Sequence, residues 1–206
     1  MIYNRVMERR AGFWRRHLML KDALSLVGFV VAVVAGTFLL NQFVFRSYNV
    51  VGVSMETTLN SGDRLIVNRL PVTMAHFVGE HYVPKRGQVI IFRNPQFRSG
   101  GQDEYVVKRV IAFEGERVIV GGGRIEVCET GGRCFNPDDD FGGEPKTFTA
   151  GEADVVVPVG EIFVAGDNRE GTHSWDSRNG LGTIPLGLVV GPAAIRIFPF
   201  SGWRAF

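Results

Sequence analysis

Tyr105-Val106-Val107-Lys108-Arg109-Val110-Ile111-Ala112 is an apolar, β-branched run interrupted by two adjacent cations. Residues of this kind suit the pleated surface of a strand. Period-two alternation puts Lys108 on one face with Val106 and Val110, and Arg109 on the other with Val107 and Ile111. One of the two cations must therefore point toward whichever side is more buried. A lysine held there loses hydration, and its ammonium gives up its proton more readily. The competing reading is an edge strand from which both cations reach water along their apolar stems.

Similar short runs lie on both sides of it. Upstream are Tyr48–Val53, Arg64–Asn68 and Gln88–Arg93; downstream are Arg117–Val120, Arg124–Cys128, Asp154–Val157 and Glu161–Ala165. Val189–Phe198 follows, interrupted by Gly191-Pro192. Turn residues separate the runs, and the 26 glycines of the chain are in keeping with that punctuation. The pattern predicts a mainly β fold of twisted antiparallel sheets. The segment at about 121–150 is different, being rich in Gly and Asp and including Asp138-Asp139-Asp140. It reads as a lobe inserted into the β core, made of solvated loops without chemistry. Cys128 and Cys134 fall within it, separated by Glu-Thr-Gly-Gly-Arg. That turn suits a disulfide closing a hairpin-like loop, and two free thiols are the alternative. The pair lacks His, Asp or Glu at ligand spacing, so no metal site is expected.

The N-terminal block has another character. Ala23 to Leu40 reads ALSLVGFVVAVVAGTFLL, without a charge. With Asn41 to Phe45 it supplies roughly 20 helical residues, enough to cross about 30 Å of hydrocarbon. Arg5, Arg9, Arg10, Arg15, Arg16 and Lys21 precede it, against Glu8 and Asp22. Basic flanks stay in the cytoplasm, so the body from Arg46 onward is expected outside. Trp14 and Tyr48 are read as interfacial residues. A cleaved secretory leader would be followed by small residues, whereas Asn-Gln-Phe-Val-Phe-Arg-Ser-Tyr is bulky. The expected organisation is a cytoplasmic basic segment 1–22, a transmembrane helix 23–45 and an extracytoplasmic β-rich domain 46–206. The net charge of +2, with its basic residues gathered at the start, gives no nucleic-acid footprint.

Three polar islands remain. Taken singly each is bland: Ser54 as a turn or cap residue, and Gly166-Asp167-Asn168-Arg169 as a turn bonded to its own backbone. In order, however, they resemble the motif boxes of the type I signal peptidases. Ser54-Met55 with Thr58-Leu59 is similar to the nucleophile box, and Lys108-Arg109-Val110-Ile111 to the box carrying a lysine base. Gly166-Asp167-Asn168-Arg169 with Ser174-Trp175-Asp176-Ser177-Arg178 resembles the last box. Gly62–Val67 and Arg86–Phe92 resemble the strands between. Departures are Thr57 where proline is usual, Ala112-Phe113-Glu114-Gly115-Glu116 in place of a commoner G-L-P-G-D, and a longer loop between Arg169 and Ser174.

The resemblance implies a membrane-bound serine endopeptidase whose catalytic residues are Ser54 and Lys108. It needs no cofactor and acts on secretory preproteins tethered in the lipid bilayer by their signal peptides. It further implies that Ser174 orients the lysine amine, that Asp176 and Arg178 brace that loop by an ion pair, and that the Ser54 N–H serves the oxyanion. Gly52 stands where the second oxyanion donor is found, without a side chain to offer. His17, His76, His81 and His173 are read as incidental. A self-cleaving Ser/Lys repressor would carry a DNA-binding domain in place of the anchor. An anchored, non-catalytic peptide-binding β module is the other alternative.

Overall fold

The structure is a computed structural model that describes residues 18–98, 104–140 and 148–206. The basic residues from Arg5 to Arg16, together with Glu8, Trp14, His17 and residues 141–147 of the expected lobe, lie outside the described residues. The chain divides into two compact units, Met1–Gln42 and Phe43–Phe206.

Helix α1 (Leu18–Leu39) lies in the first unit and runs into a π-helical turn, Leu40–Val44, that crosses the boundary. The apolar stretch Leu20–Val44 is 25 residues long, has a mean hydropathy of 2.5 and buries nothing. At 1.5 Å per residue it covers about 37 Å, so length and composition both allow it to cross a membrane.

The second unit is mainly antiparallel β. Its strands are β1 (Phe45–Asn49), β2 (Arg64–Asn68), β3 (Val89–Arg93), β4 (Tyr105–Phe113), β5 (Arg117–Gly121) and β6 (Arg124–Cys128). They continue as β7 (Cys134–Phe135), β8 (Ala153–Val156), β9 (Glu161–Ala165), β10 (Ile184–Pro185), β11 (Val189–Phe198) and β12 (Arg204–Ala205). One sheet runs β1-β2-β11-β3-β4-β9-β10, with β12 against β11; the other runs β7-β6-β5-β8. Both faces of the first sheet are buried around β3. Val89 and Ile91 join a core with Met55, Leu59, Leu65 and Val67, while Ile90 and Phe92 join one with Val110, Ile162, Val164 and Ile184. The second sheet packs Val118, Val120, Ile125 and Val127 against Ile111, Ala112 and Phe163.

Three expectations are corrected. β4 is no edge strand, because it is paired with β3 on one side and β9 on the other. The first strand covers Phe45–Asn49, not Tyr48–Val53: it pairs β2 only up to Asn49–Arg64, after which Val50 N–H donates to Asp63 and the chain turns away. A helix, α2 (Leu70–Phe77), forms in a stretch where none was expected. Pro71 in its first turn is the start signal that its β-branched content obscured. Tyr48 is half-buried, its ring 5.2 Å from that of Tyr105 and tilted by 56° to it.

Candidate active site

Ser54 occupies a turn whose position is set by its apolar neighbours. Met55 and Leu59 are buried in the core, and Leu59 N–H donates to Met55 O at 2.8 Å. Glu56 N–H donates to Val53 O at 3.1 Å, so the turn closes without the proline that Thr57 replaces. Gly52, at φ +95°, brings the chain from β1 into this turn, a conformation that a side chain would disfavour. Its N–H donates to Ser61 Oγ at 3.3 Å. From the other side, Asn168 N–H donates to Ser54 O and Asn168 Nδ2 to Val53 O, each at 3.1 Å.

Lys108 stands in the middle of β4, in register with Ile90. Its Nζ lies 2.6 Å from Ser54 Oγ, and the residue is 3% exposed. Loss of hydration lowers the ammonium pKa from 10.5 to about 8, outweighing the upward pull of the Asp176 and Asp167 carboxylates. Both carboxylates already hold guanidinium groups, which weakens that pull. Asp176 Oδ2 accepts from Arg178 Nη2 at 2.8 Å, and Asp167 accepts from Arg109 Nε and Nη2 at 2.7 and 2.5 Å. Arg109 thus binds a partner on its own face of the strand, while its neighbour Lys108 reaches the serine. Burial alone would push the Asp176 carboxyl up; Arg178, the Gly166 amide and the Ser174 hydroxyl outweigh it and hold the pKa low.

Ser174 is fully buried beside this group. Its hydroxyl donates to Asp176 Oδ2 at 2.6 Å, where the resemblance leads one to expect the lysine amine as partner. An anionic oxygen is the stronger acceptor. Gly166 N–H donates to the same oxygen at 2.8 Å. The sites around Ser54, Lys108, Ser174, Asp176 and Arg178 are therefore one continuous cluster, with Gly52 at its edge. Cys128 and Cys134 lie apart from it, joined as a disulfide across the β6–β7 turn. Among the described residues no group of three or more His, Cys, Asp or Glu is arranged to hold a metal ion.

An open cleft of about 820 Å³ lies over Ser54 and Lys108, walled by Val51, Val53, Ile91 and Tyr105, with His173 and Trp175 at the loop before Asp176. One contributor escaped the sequence reading, and two others stood in a motif box without a role of their own. Asp138, in the acidic run taken for a solvated loop, forms a buried two-pronged ion pair with Arg169. Asp167 is spent on Arg109. Gly166 is needed for its lack of a side chain. All three have partners far apart in sequence, which local pattern does not expose; the motif box drew attention to Gly166 and Asp167 without saying what they touch.

The sequence profile described as "Signal peptidase, peptidase S26" matches residues 21–198. Signal peptidase I T of Bacillus subtilis is 32% identical over 180 residues, covering 85% of each chain. Signal peptidase I of Bacillus licheniformis is 33% identical over 182 residues, covering 85% of this chain and 88% of the relative. A solved signal peptidase I from Enterococcus faecalis is 25% identical with a TM-score of 0.39, over 53% of this chain and 96% of its own. The family and relatives make the chain a peptidase, and its own sheets and helix give it mainly antiparallel β structure with an apolar N-terminal helix that fits a membrane span. The chain belongs to the signal peptidase family, peptidase S26.

Proposed function

We propose that this protein is a membrane-anchored endopeptidase that removes N-terminal signal peptides from secreted preproteins, with Ser54 as nucleophile and Lys108 as general base. The observation that carries the reading is the 2.6 Å separation of a buried amine from a serine hydroxyl on the wall of an open cleft. A neutral Nζ takes the proton of Ser54 as its Oγ attacks the scissile carbonyl. The resulting ammonium then protonates the leaving amine. Lys108 next deprotonates a water that attacks the acyl-enzyme, and the proton returns to Ser54. The Ser54 N–H faces the developing oxyanion. Asp176 and Arg178 brace the loop, and Ser174 ties it to the carboxylate nearest the base. The names of the relatives supply the substrate class, and the exposed cleft beside β1 and β4 suits an extended peptide added alongside the strands.

The proposed organisation is a basic cytoplasmic segment 1–22, a single span 23–45 and an extracytoplasmic catalytic domain 46–206 carrying the lobe at about 121–150. Anchoring places the site at the face where signal peptides emerge from the lipid bilayer. The test is cleavage of a preprotein in detergent by the wild type, Ser54→Ala and Lys108→Ala. A product of discrete length is expected from the first and none from either variant. Retained cleavage by Lys108→Ala removes the base. In sealed vesicles, protease added from the cytoplasmic side should spare the body after Arg46, and digestion there sinks the topology.

A further inference from the structure

The four residues Gly166-Asp167-Asn168-Arg169 each reach a different part of the site. Gly166 packs on Ser54 and Ser174, Asp167 holds Arg109 beside Lys108, and Asn168 holds the Ser54 and Val53 carbonyls. Arg169 faces away from them. Its guanidinium bonds Asp138 through two nitrogens, each at 2.6 Å, and its Nε donates back to Gly166 O at 2.7 Å. The Arg169 and Asp138 side chains are 1% and 5% exposed. Arg169 O accepts from Ala150 N–H and from Arg178 Nη1, so the same residue also gathers the segment of the lobe that leads back into β8. Asp138 sits on a short 3-10 turn, Pro137–Asp140, just after β7 in the second sheet. With Thr149, whose Oγ1 accepts from Arg169 Nη1 at 3.4 Å, it is what the Arg169 guanidinium meets outside the catalytic loop, and it carries the counter-charge.

We propose that Asp138 is a positioning residue for the reaction: its ion pair with Arg169 clamps the lobe to the catalytic loop and thereby holds Ser54 against Lys108. A guanidinium this deeply buried does not stay in place without its counter-charge; it draws in water or swings out. Either movement loosens Gly166, whose carbonyl Arg169 holds and whose amide binds the Asp176 carboxylate. Reacting groups displaced by about 1 Å lose roughly a hundredfold in rate. Water entering beside Lys108 also weakens the desolvation that lowers its pKa and frees its amine of the proton in the useful pH range. The inference rests on the Ser54–Lys108 reading and adds a control from the other sheet.

The experiment uses the full chain in detergent with a preprotein substrate, comparing Asp138→Ala, Asp138→Asn and Asp154→Ala. Asp154 pairs with Arg117 on the same second sheet, but both side chains are over half exposed. The expected result for Asp138→Ala is a kcat at least about tenfold lower, with KM within about threefold. The lower limb of its pH–kcat/KM profile should move up by about one unit, so that raising the pH restores part of the loss. Asp138→Asn should fall between it and the wild type, and Asp154→Ala should match the wild type. If Asp138→Ala does not fold, as read by circular dichroism, Asp138→Asn decides on the same limb. A lower rate with an unmoved limb, or a wild-type profile in a folded Asp138 variant, overturns the clamp. Cleavage that survives Ser54→Ala or Lys108→Ala instead overturns the dyad, and with it the clamp.

Discussion

Gly166 lies against Ser174 with no room for a β-carbon between them: one built there collides with the Ser174 hydroxyl and with the Ser54 carbonyl. The glycine is not needed for an unusual φ, since its backbone is one that any residue can adopt. Its role is close approach. Gly166→Ala should therefore fold, with the strain taken up by the loop, and should lower kcat at least about a hundredfold. Single-turnover cleavage alongside circular dichroism checks this, and a folded variant with wild-type kcat would show that the contact is slack.

With Lys108 as the proposed base, its pKa of about 8 sets the pH dependence expected of the reaction. Only the neutral amine accepts the serine proton, so kcat/KM should rise about tenfold per pH unit below that value and level off above it. Lys108→Arg should be inactive at every accessible pH, because a guanidinium does not give up its proton there. A limb centred below about pH 6 would mean that another group limits the rate.

Much of this was legible from the chain. The two halves of the proposed dyad lie 54 residues apart, and no spacing rule joins them; the resemblance of the ordered motif boxes is what pairs them in the sequence. Strand periodicity found β2, β6, β9 and β11 at their observed bounds, because each is a β-branched run ended by a turn residue. It misplaced β1, whose pairing is set by β2 and not by its own pattern. It left the burial of Lys108 open, since a strand carries no mark of having neighbours on both sides. Asp138 was out of reach for the same reason: an acidic run reads as solvated until Arg169 is seen facing it.

Burying a lysine also costs stability, and the sign follows from the same pKa. Below pH 8 both folded and unfolded chains hold the proton, and the native state carries the full penalty. Between about 8 and 10.5 the folded chain has released it while the unfolded chain still binds it, so stability rises with pH. The span corresponds to about 3 kcal/mol. Lys108→Met, which keeps the length without the charge, should be more stable than the wild type at pH 7 by up to about that amount. The advantage should close above about pH 10. Thermal melts of the two full-length proteins across that range test it, and an advantage independent of pH would place its origin in packing.

Asp176 should shift the dyad in the opposite direction from Asp138. Its carboxylate accepts from Ser174 Oγ, Gly166 N and both Nε and Nη2 of Arg178. Because its pKa is held low, its contribution to stability is complete above about pH 4 and is lost as pH falls further. Asp176→Asn leaves the Arg178 guanidinium, 1% exposed, without its counter-charge, at a cost of about 3–5 kcal/mol. It also removes the main carboxylate that pulls the Lys108 pKa upward and leaves uncompensated the cation that pushes it down. Whatever activity survives should have its lower pH limb below that of the wild type, whereas breaking the Asp138 pair moves the limb up. The two variants, run side by side, separate the electrostatics of the base from the mechanics of the loop. Limbs that move together would mean that hydration alone sets the Lys108 pKa.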